Sequence, residues 1–125
     1  GYQTAILAEL SEMVYTVERI APLLEKGKTL LKSLGYANVY FKAYDGTLGW
    51  EDFAPYDAIM VTAGAPKVPE PLLKQLADGG RMIIPIGNKH SQDLIKVTRV
   101  DDRFVEKNLG GCRFVDLIGE HGWKD

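Results

Sequence analysis

Cysteine is nearly absent from this chain: Cys112 stands alone among 125 residues. One thiol cannot form an internal disulfide, which excludes a disulfide-stapled scaffold and fits a reducing compartment. Histidine is almost as scarce. His90 and His121 lie far apart, and no Cys or His stands at metal-ligand spacing, so no metal is expected. Charge of neither sign dominates, with 15 Lys and Arg against 17 Asp and Glu and a net charge of -2. That balance argues against a polybasic surface for nucleic acid or membrane. No run approaches the roughly 18–20 uncharged apolar residues of a membrane span. There is no repeat, low-complexity tract or Ser/Gly linker. Residues 1–12 hold Glu9 and Glu12 but no Lys or Arg, so they do not read as a signal peptide. What is present is 46% apolar residues and 13 glycines, enough for one domain over residues 1–125 with a real core. The expectation is a soluble, cytoplasmic, monomeric domain.

Periods of three to four and of two alternate along the chain. Ile6, Leu7, Leu10 and Met13 share a helical face, which predicts a helix over 3–12. The β-branched and aromatic run 14–17 reads as a strand ending at Glu18. Pro22 suits a first helical turn, Leu23, Leu24, Leu30, Leu31 and Leu34 form an apolar stripe, and Gly35 closes that helix. Residues 39–41 make a second strand, stopped by Asp45 and Gly46. A third strand over 58–61 is nearly all apolar, as expected of a strand covered on both faces. Pro69 and Pro71 open a helix through about Leu76, ended by Asp78, Gly79 and Gly80, and residues 82–84 form a fourth buried strand. Residues 94–100 alternate, Asp101 and Asp102 read as a turn, 104–109 run back, and 112–115 read as one more strand that makes Cys112 a small core residue. Strand–helix alternation with a late antiparallel section predicts an α/β fold: a Rossmann-like, doubly wound, mostly parallel sheet with an antiparallel C-terminal edge.

Ligands of such sheets bind at the carboxyl ends of the strands. Glu18 ends the first strand 17 positions after Gly1, a spacing at which a carboxylate beyond a Gly-rich turn accepts from both hydroxyls of a ribose. A solvated acid at a strand end explains it too. Asp45 with Gly46 is either a tight turn or an acceptor for an exocyclic adenine amine with room for close approach. Thr62, Ala63, Gly64, Ala65 and Pro66 form a loop of small side chains, fit for a plain connection or for a surface that a substrate backbone approaches. Ser11, Ser33 and Ser91 lack a nucleophile-elbow context, both histidines read as exposed loop residues, and no acid–base pair presents itself.

The ordered series says more than the spacings. Gly1-Tyr2-Gln3-Thr4-Ala5, Val14-Tyr15-Thr16-Val17-Glu18-Arg19-Ile20, Asp45-Gly46 with Gly49-Trp50, and Ala54-Pro55-Tyr56-Asp57-Ala58-Ile59 are followed by Val61-Thr62-Ala63-Gly64-Ala65-Pro66, Gln75-Leu76 with Gly79-Gly80, and Arg113-Phe114-Val115. Over essentially the whole chain this series resembles the protein-L-isoaspartate O-methyltransferase family. The resemblance implies a class I methyltransferase fold and S-adenosylmethionine as cofactor, with Glu18 on the ribose, Asp45 and Gly46 on the adenine, and Gly1 as the last glycine of the cofactor loop. It implies isoaspartyl-containing proteins and peptides as partners, with residues 62–66 on the substrate side and no catalytic side chain or metal. The α-carboxylate of an isoaspartyl residue is already ionised at pH 7 and needs no general base to attack a sulfonium methyl. In the family the methyl ester then collapses to a succinimide, whose hydrolysis returns some normal aspartyl linkage.

The sequence departs from the family's pattern at Tyr44, where the family has Gly, and at Asp116, where it has Pro. The family also has an upstream strand, a Gly-x-Gly-x-Gly loop and a Thr-x-Ser-x-Pro type segment that nothing here matches. The chain is therefore expected to be part of a longer enzyme and to show little methyl transfer alone. Two other readings compete: a non-catalytic nucleotide-binding or interaction module of the same fold, and a nicotinamide-dependent dehydrogenase. The second leaves the Asp45-Gly46 element and the antiparallel tail without explanation.

Overall fold

A computed structural model describes residues 2–124. Their contacts gather into two compact units, residues 1–46 and 47–125.

The first unit contains helix α1 (Tyr2–Leu10), strand β1 (Val14–Glu18), helix α2 (Ala21–Ser33) and strand β2 (Val39–Ala43). The predicted first helix stops at Leu10, short of Glu12. Asn38 is the reason: its side-chain amide donates to the carbonyls of Ala8 at 2.8 Å and Ser11 at 3.0 Å, satisfying the helix end from a distant loop. Among the described side chains of α1 the buried one is Ala8, while Ile6, Leu10 and Met13 of the expected apolar face are exposed. In α2 the stripe narrows likewise to Leu24 and Leu31, seven residues apart, with Leu23, Leu30 and Leu34 open to solvent. Pro22 falls in the first turn as expected. Gly35 adopts φ +89°, so its N–H reaches the Lys32 carbonyl and that of Tyr36 reaches Leu31, a Schellman end to the helix. The two strands are parallel, in register from Val14↔Val39 to Glu18↔Ala43, and Tyr15 stacks on Tyr40 with centroids 5.4 Å apart.

The second unit is a four-stranded sheet in the order β3-β4-β5-β6. β3 (Tyr56–Met60) and β4 (Leu76–Gly87) are parallel and joined through the short helix α3 (Glu70–Lys74). β5 (Gln92–Val100) and β6 (Arg103–Cys112) continue antiparallel, turning at Asp101 and Asp102 as predicted. Asp101 takes φ 55°, a conformation Asp tolerates better than most side chains. The core is Ala65, Leu72, Leu76, Met82, Ile84 and Val97.

Four expectations are corrected in this unit. β3 is not covered on both faces: Ala58 is exposed and Met60 is 45% exposed, at the edge of this sheet. Asp78, Gly79 and Gly80 do not end a helix but lie inside β4. The ladder jumps there from Tyr56↔Leu76 to Ala58↔Arg81, with Gly79 at φ +77°. A Cβ on Gly80 would stand 2.8 Å from the Ala77 carbonyl, so the bulge needs glycine. Residues 112–115 are not a separate strand. β6 runs unbroken through Cys112, absorbing Gly110 at φ +117° as a second bulge, and the ladder ends there. Cys112 is accordingly half-buried at a strand end instead of in the core.

Candidate functional site

The parallel register of β1 and β2 brings their carboxyl ends together. Glu18 is paired with Ala43, and the backbone N–H of Tyr44 donates to the Glu18 carbonyl at 3.0 Å. Asp45 follows two residues beyond Ala43. The two acidic residues singled out in the sequence thus leave adjacent strands at the same end.

Glu18 is half-buried, and its Oε1 accepts the N–H of Ile20 at 3.2 Å. Ile20 is the N-cap of α2 and supplies no side-chain cap, so the carboxylate sits at the positive end of a 13-residue helix. Among the described residues Oε2 has no partner, which leaves it available to accept. Gly46 has no atom within 4 Å of where a Cβ would be, so its surface is open within this unit. Tyr44, the departure next to Asp45, is 42% exposed and carries the Lys42 ammonium 4.0 Å over its ring centroid. Gly1 lies outside the described residues. A carboxylate with a spare oxygen and an uncovered glycine one strand away fit a ribose and an adenine.

Residues 62–66 lie in the other unit, between β3 and α3, and their backbone is stitched to two segments, 85–87 and 115–117. Gly64 donates to the Val115 carbonyl at 2.7 Å and accepts from Leu117 at 2.8 Å. Ala65 donates to Pro85 at 2.9 Å and accepts from Gly87 at 3.0 Å. Gly64 and Ala65 are buried, whereas Thr62 and Pro66 are exposed and Ala63 is half-buried. The loop is therefore a rigid ledge: two residues anchor it from behind and three form its outer surface.

Sequence reasoning missed the amides that hold this unit. Gln92, only 4% exposed, donates from Nε2 to the Asn88 carbonyl and accepts the Phe114 N–H on Oε1, each at 2.8 Å. Gln75, 7% exposed, accepts the Trp50 N–H at 3.0 Å and donates to the Leu48 carbonyl at 2.9 Å. Gln75 stands in the motif series without a role attached to it, and Gln92 shows only as a polar residue beside an apolar strand, which spacing rules pass over. His90 is exposed and His121 half-buried, and among the described residues no three His, Cys, Asp or Glu gather for a metal.

Comparison with known proteins agrees with the motifs. The sequence profile of the protein-L-isoaspartate(D-aspartate) O-methyltransferase family matches residues 1–122. The chain is 62% identical over 125 residues to the protein-L-isoaspartate O-methyltransferase of Dictyoglomus thermophilum, covering all of this chain and 57% of the relative. It is 56% identical to that of Syntrophus aciditrophicus, covering 98% of this chain and 58% of the relative. The chain thus spans somewhat over half the length of these relatives. A solved protein-L-isoaspartate O-methyltransferase is similar with a TM-score of 0.90 at 35% identity, over 98% of this chain and 40% of that one. A Plasmodium falciparum structure in complex with S-adenosyl-L-homocysteine is similar with a TM-score of 0.74 at 27% identity, over 85% of this chain and 52% of that one. The fold is that of the class I methyltransferases, as the strand pattern and the motif series led us to expect.

Proposed function

We propose a reaction from one premise: this chain belongs to the protein-L-isoaspartate O-methyltransferase family. In our reading the whole protein transfers a methyl group from S-adenosylmethionine to the α-carboxylate of L-isoaspartyl residues in damaged proteins and peptides. The observation that carries this reading is the placement of Glu18 and of Asp45 with Gly46 at the carboxyl ends of two strands in parallel register.

The cofactor supplies an electrophilic methyl on a sulfonium. The chain's residues do the binding and alignment. Glu18 accepts from the ribose hydroxyls through the oxygen not spent on Ile20, and Asp45 accepts from the adenine amine while Gly46 leaves room for the ring. Gly1, outside the described residues, matches the last glycine of the family's cofactor loop. Thr62, Ala63 and Pro66 present the outer surface of the ledge to the peptide, and Gly64 and Ala65 hold that surface in place through their backbone bonds. An isoaspartyl α-carboxylate has an ordinary pKa of about 3.3–3.7 and is ionised at neutral pH, so no side chain has to remove a proton. Holding oxygen, methyl carbon and sulfur in line, with water excluded, supplies the rate.

The partners in this reading are isoaspartyl-containing proteins and peptides, met by a monomer in the cytoplasm, with no nucleic acid or membrane. Among the described residues no helix is long and apolar enough to cross a membrane.

The test is labelled methyl incorporation by the whole protein into an isoaspartyl peptide and its normal aspartyl twin. Transfer to the isoaspartyl peptide alone is expected. Equal labelling of the two, or labelling of neither, overturns the reading.

A further inference from the structure

Beside the ledge lies a surface hollow lined by Lys89, His90, Arg113, Phe114 and Val115. It adjoins residues 62–66 directly, because the Val115 carbonyl takes the Gly64 N–H and the Phe114 N–H is held by Gln92. Arg113 is fixed in place: its Nε donates to the His90 carbonyl at 3.1 Å, while Nη1 and Nη2 have no partner among the described residues. Lys89 is placed on the same rim, with Nζ 5.3 Å from the Trp123 ring centroid and 3.9 Å from a carboxylate oxygen of Asp116. That pair is loose and its side chains are 51% and 30% exposed, so two cations facing one acid leave the hollow with surplus positive charge. Phe114 and Val115, 37% and 76% exposed, give it an apolar floor.

We propose that this hollow is a subsite for a carboxylate carried by the substrate peptide next to its isoaspartyl residue, an Asp or Glu side chain. Its methylenes lie on Phe114 and Val115, and its oxygens take the free nitrogens of Arg113 and the ammonium of Lys89. A planar guanidinium with two unspent nitrogens suits two carboxylate oxygens at once. The methyl-accepting carboxylate is a poor occupant, since bidentate bonds to arginine would engage the lone pairs needed for attack. The proposal rests on the methyl-transfer reading for its substrate.

The test is fluorescence anisotropy of labelled isoaspartyl peptides binding to the whole protein in the presence of S-adenosylhomocysteine. One peptide carries Glu beside the isoaspartyl residue and its twin carries Gln, both amidated at the C-terminus. A third is the Gln peptide with a free C-terminal carboxylate. The Glu peptide is expected to bind about threefold to tenfold more tightly than its Gln twin at low salt, a gap that narrows as salt rises. Arg113→Gln and Lys89→Gln each shrink the gap, and Arg113→Lys keeps part of it. Equal binding of the Glu and Gln peptides, or a gap that survives both substitutions, overturns the subsite. An equal gain from the free C-terminus overturns the assignment to a side chain. Methyl transfer is scored separately on isoaspartyl and aspartyl twins, so a preference for Glu without methylation counts against the proposed function and not against the subsite.

Discussion

Gly64 is pressed so closely against the side chain of Gln92 that a Cβ at residue 64 would stand 2.8 Å from Gln92 Cδ. The amide cannot retreat freely, because it bridges the Asn88 carbonyl and the Phe114 N–H. Gly64→Ala is therefore expected to destabilise the protein by about 1–3 kcal/mol, through overpacking and at least one strained buried hydrogen bond. Urea denaturation of the variant and the parent measures it. A midpoint unchanged by the substitution would show that Gln92 moves aside at no cost.

Gln75 offers a parallel test in the same unit. Its amide joins Trp50 to Leu48, and Gly49, at φ +67°, packs directly on it. Gln75→Ala leaves a part-buried donor and acceptor without this partner, with an expected cost of about 1–3 kcal/mol. Gln75→Glu keeps the acceptor for Trp50 but offers no donor to Leu48 while ionised, so its stability should recover as the carboxyl is protonated. Denaturation curves at neutral and acidic pH separate the two variants.

For the cofactor, Glu18→Ala should remove charge-assisted hydrogen bonds worth about 1.5–3 kcal/mol, roughly a tenfold to hundredfold loss of affinity. Glu18→Gln should lose less, since an amide oxygen still caps Ile20. Calorimetry with S-adenosylhomocysteine on the whole protein decides the matter, and unchanged binding by Glu18→Ala would remove the residue from the ribose site.

A carboxylate nucleophile that needs no base predicts a rate–pH profile without a protein-derived limb near neutrality. The side chain of His121 is not needed to hold its loop, because the contact to Thr47 is made by the backbone N–H at 3.1 Å. His121→Ala should leave the single-turnover rate almost unchanged. A large fall with folding and cofactor binding intact would reveal a catalytic histidine.

Tyr36 donates to Glu9 Oε1 at 2.7 Å, and that hydrogen bond is the main cause that raises its phenol above the ordinary value of 10.0; desolvation and the Glu9 charge add to it. Whatever stability the bond gives is present below pH 10.0 and is lost as pH rises through the raised value. Alkaline titration followed by phenolate absorbance should show a late-ionising tyrosine that disappears in Tyr36→Phe. In Glu9→Gln it should return toward the ordinary range. A Tyr36→Phe curve that lacks an early-ionising group instead would contradict the assignment.

Strands and their ends were readable because they depend on local chemistry: β-branched runs, the Pro22 start, the Gly35 stop, and acids where the strands finish. Helix faces were less so. Leu23, Leu30 and Leu34 match a buried stripe as well as Leu24 and Leu31 do, and only tertiary placement separates them. Glycine pairs misled for a physical reason, since Gly79-Gly80 and Gly110-Gly111 serve bulges inside strands as readily as they break helices or turns. At the candidate site the residue types at strand ends gave Glu18 and Asp45. The same reasoning could not tell that Gly64 and Ala65 anchor the loop while Thr62 and Pro66 face outward, because that depends on partners at Pro85, Gly87, Val115 and Leu117.

The bond from the His121 backbone to Thr47 Oγ1 joins residues 74 apart, and Thr47 is wholly buried where the second unit begins. During synthesis Thr47 emerges from the ribosome long before its partner, at about 5–20 residues per second. For several seconds its hydroxyl must be satisfied by water or by other groups. Closing so long a loop costs entropy that is recovered only when the segment around residue 121 docks. The finishing of this unit is thereby tied to the segment that carries residue 121, and a nascent chain stalled before that residue would present Thr47 without this bond to the folding machinery of the cell.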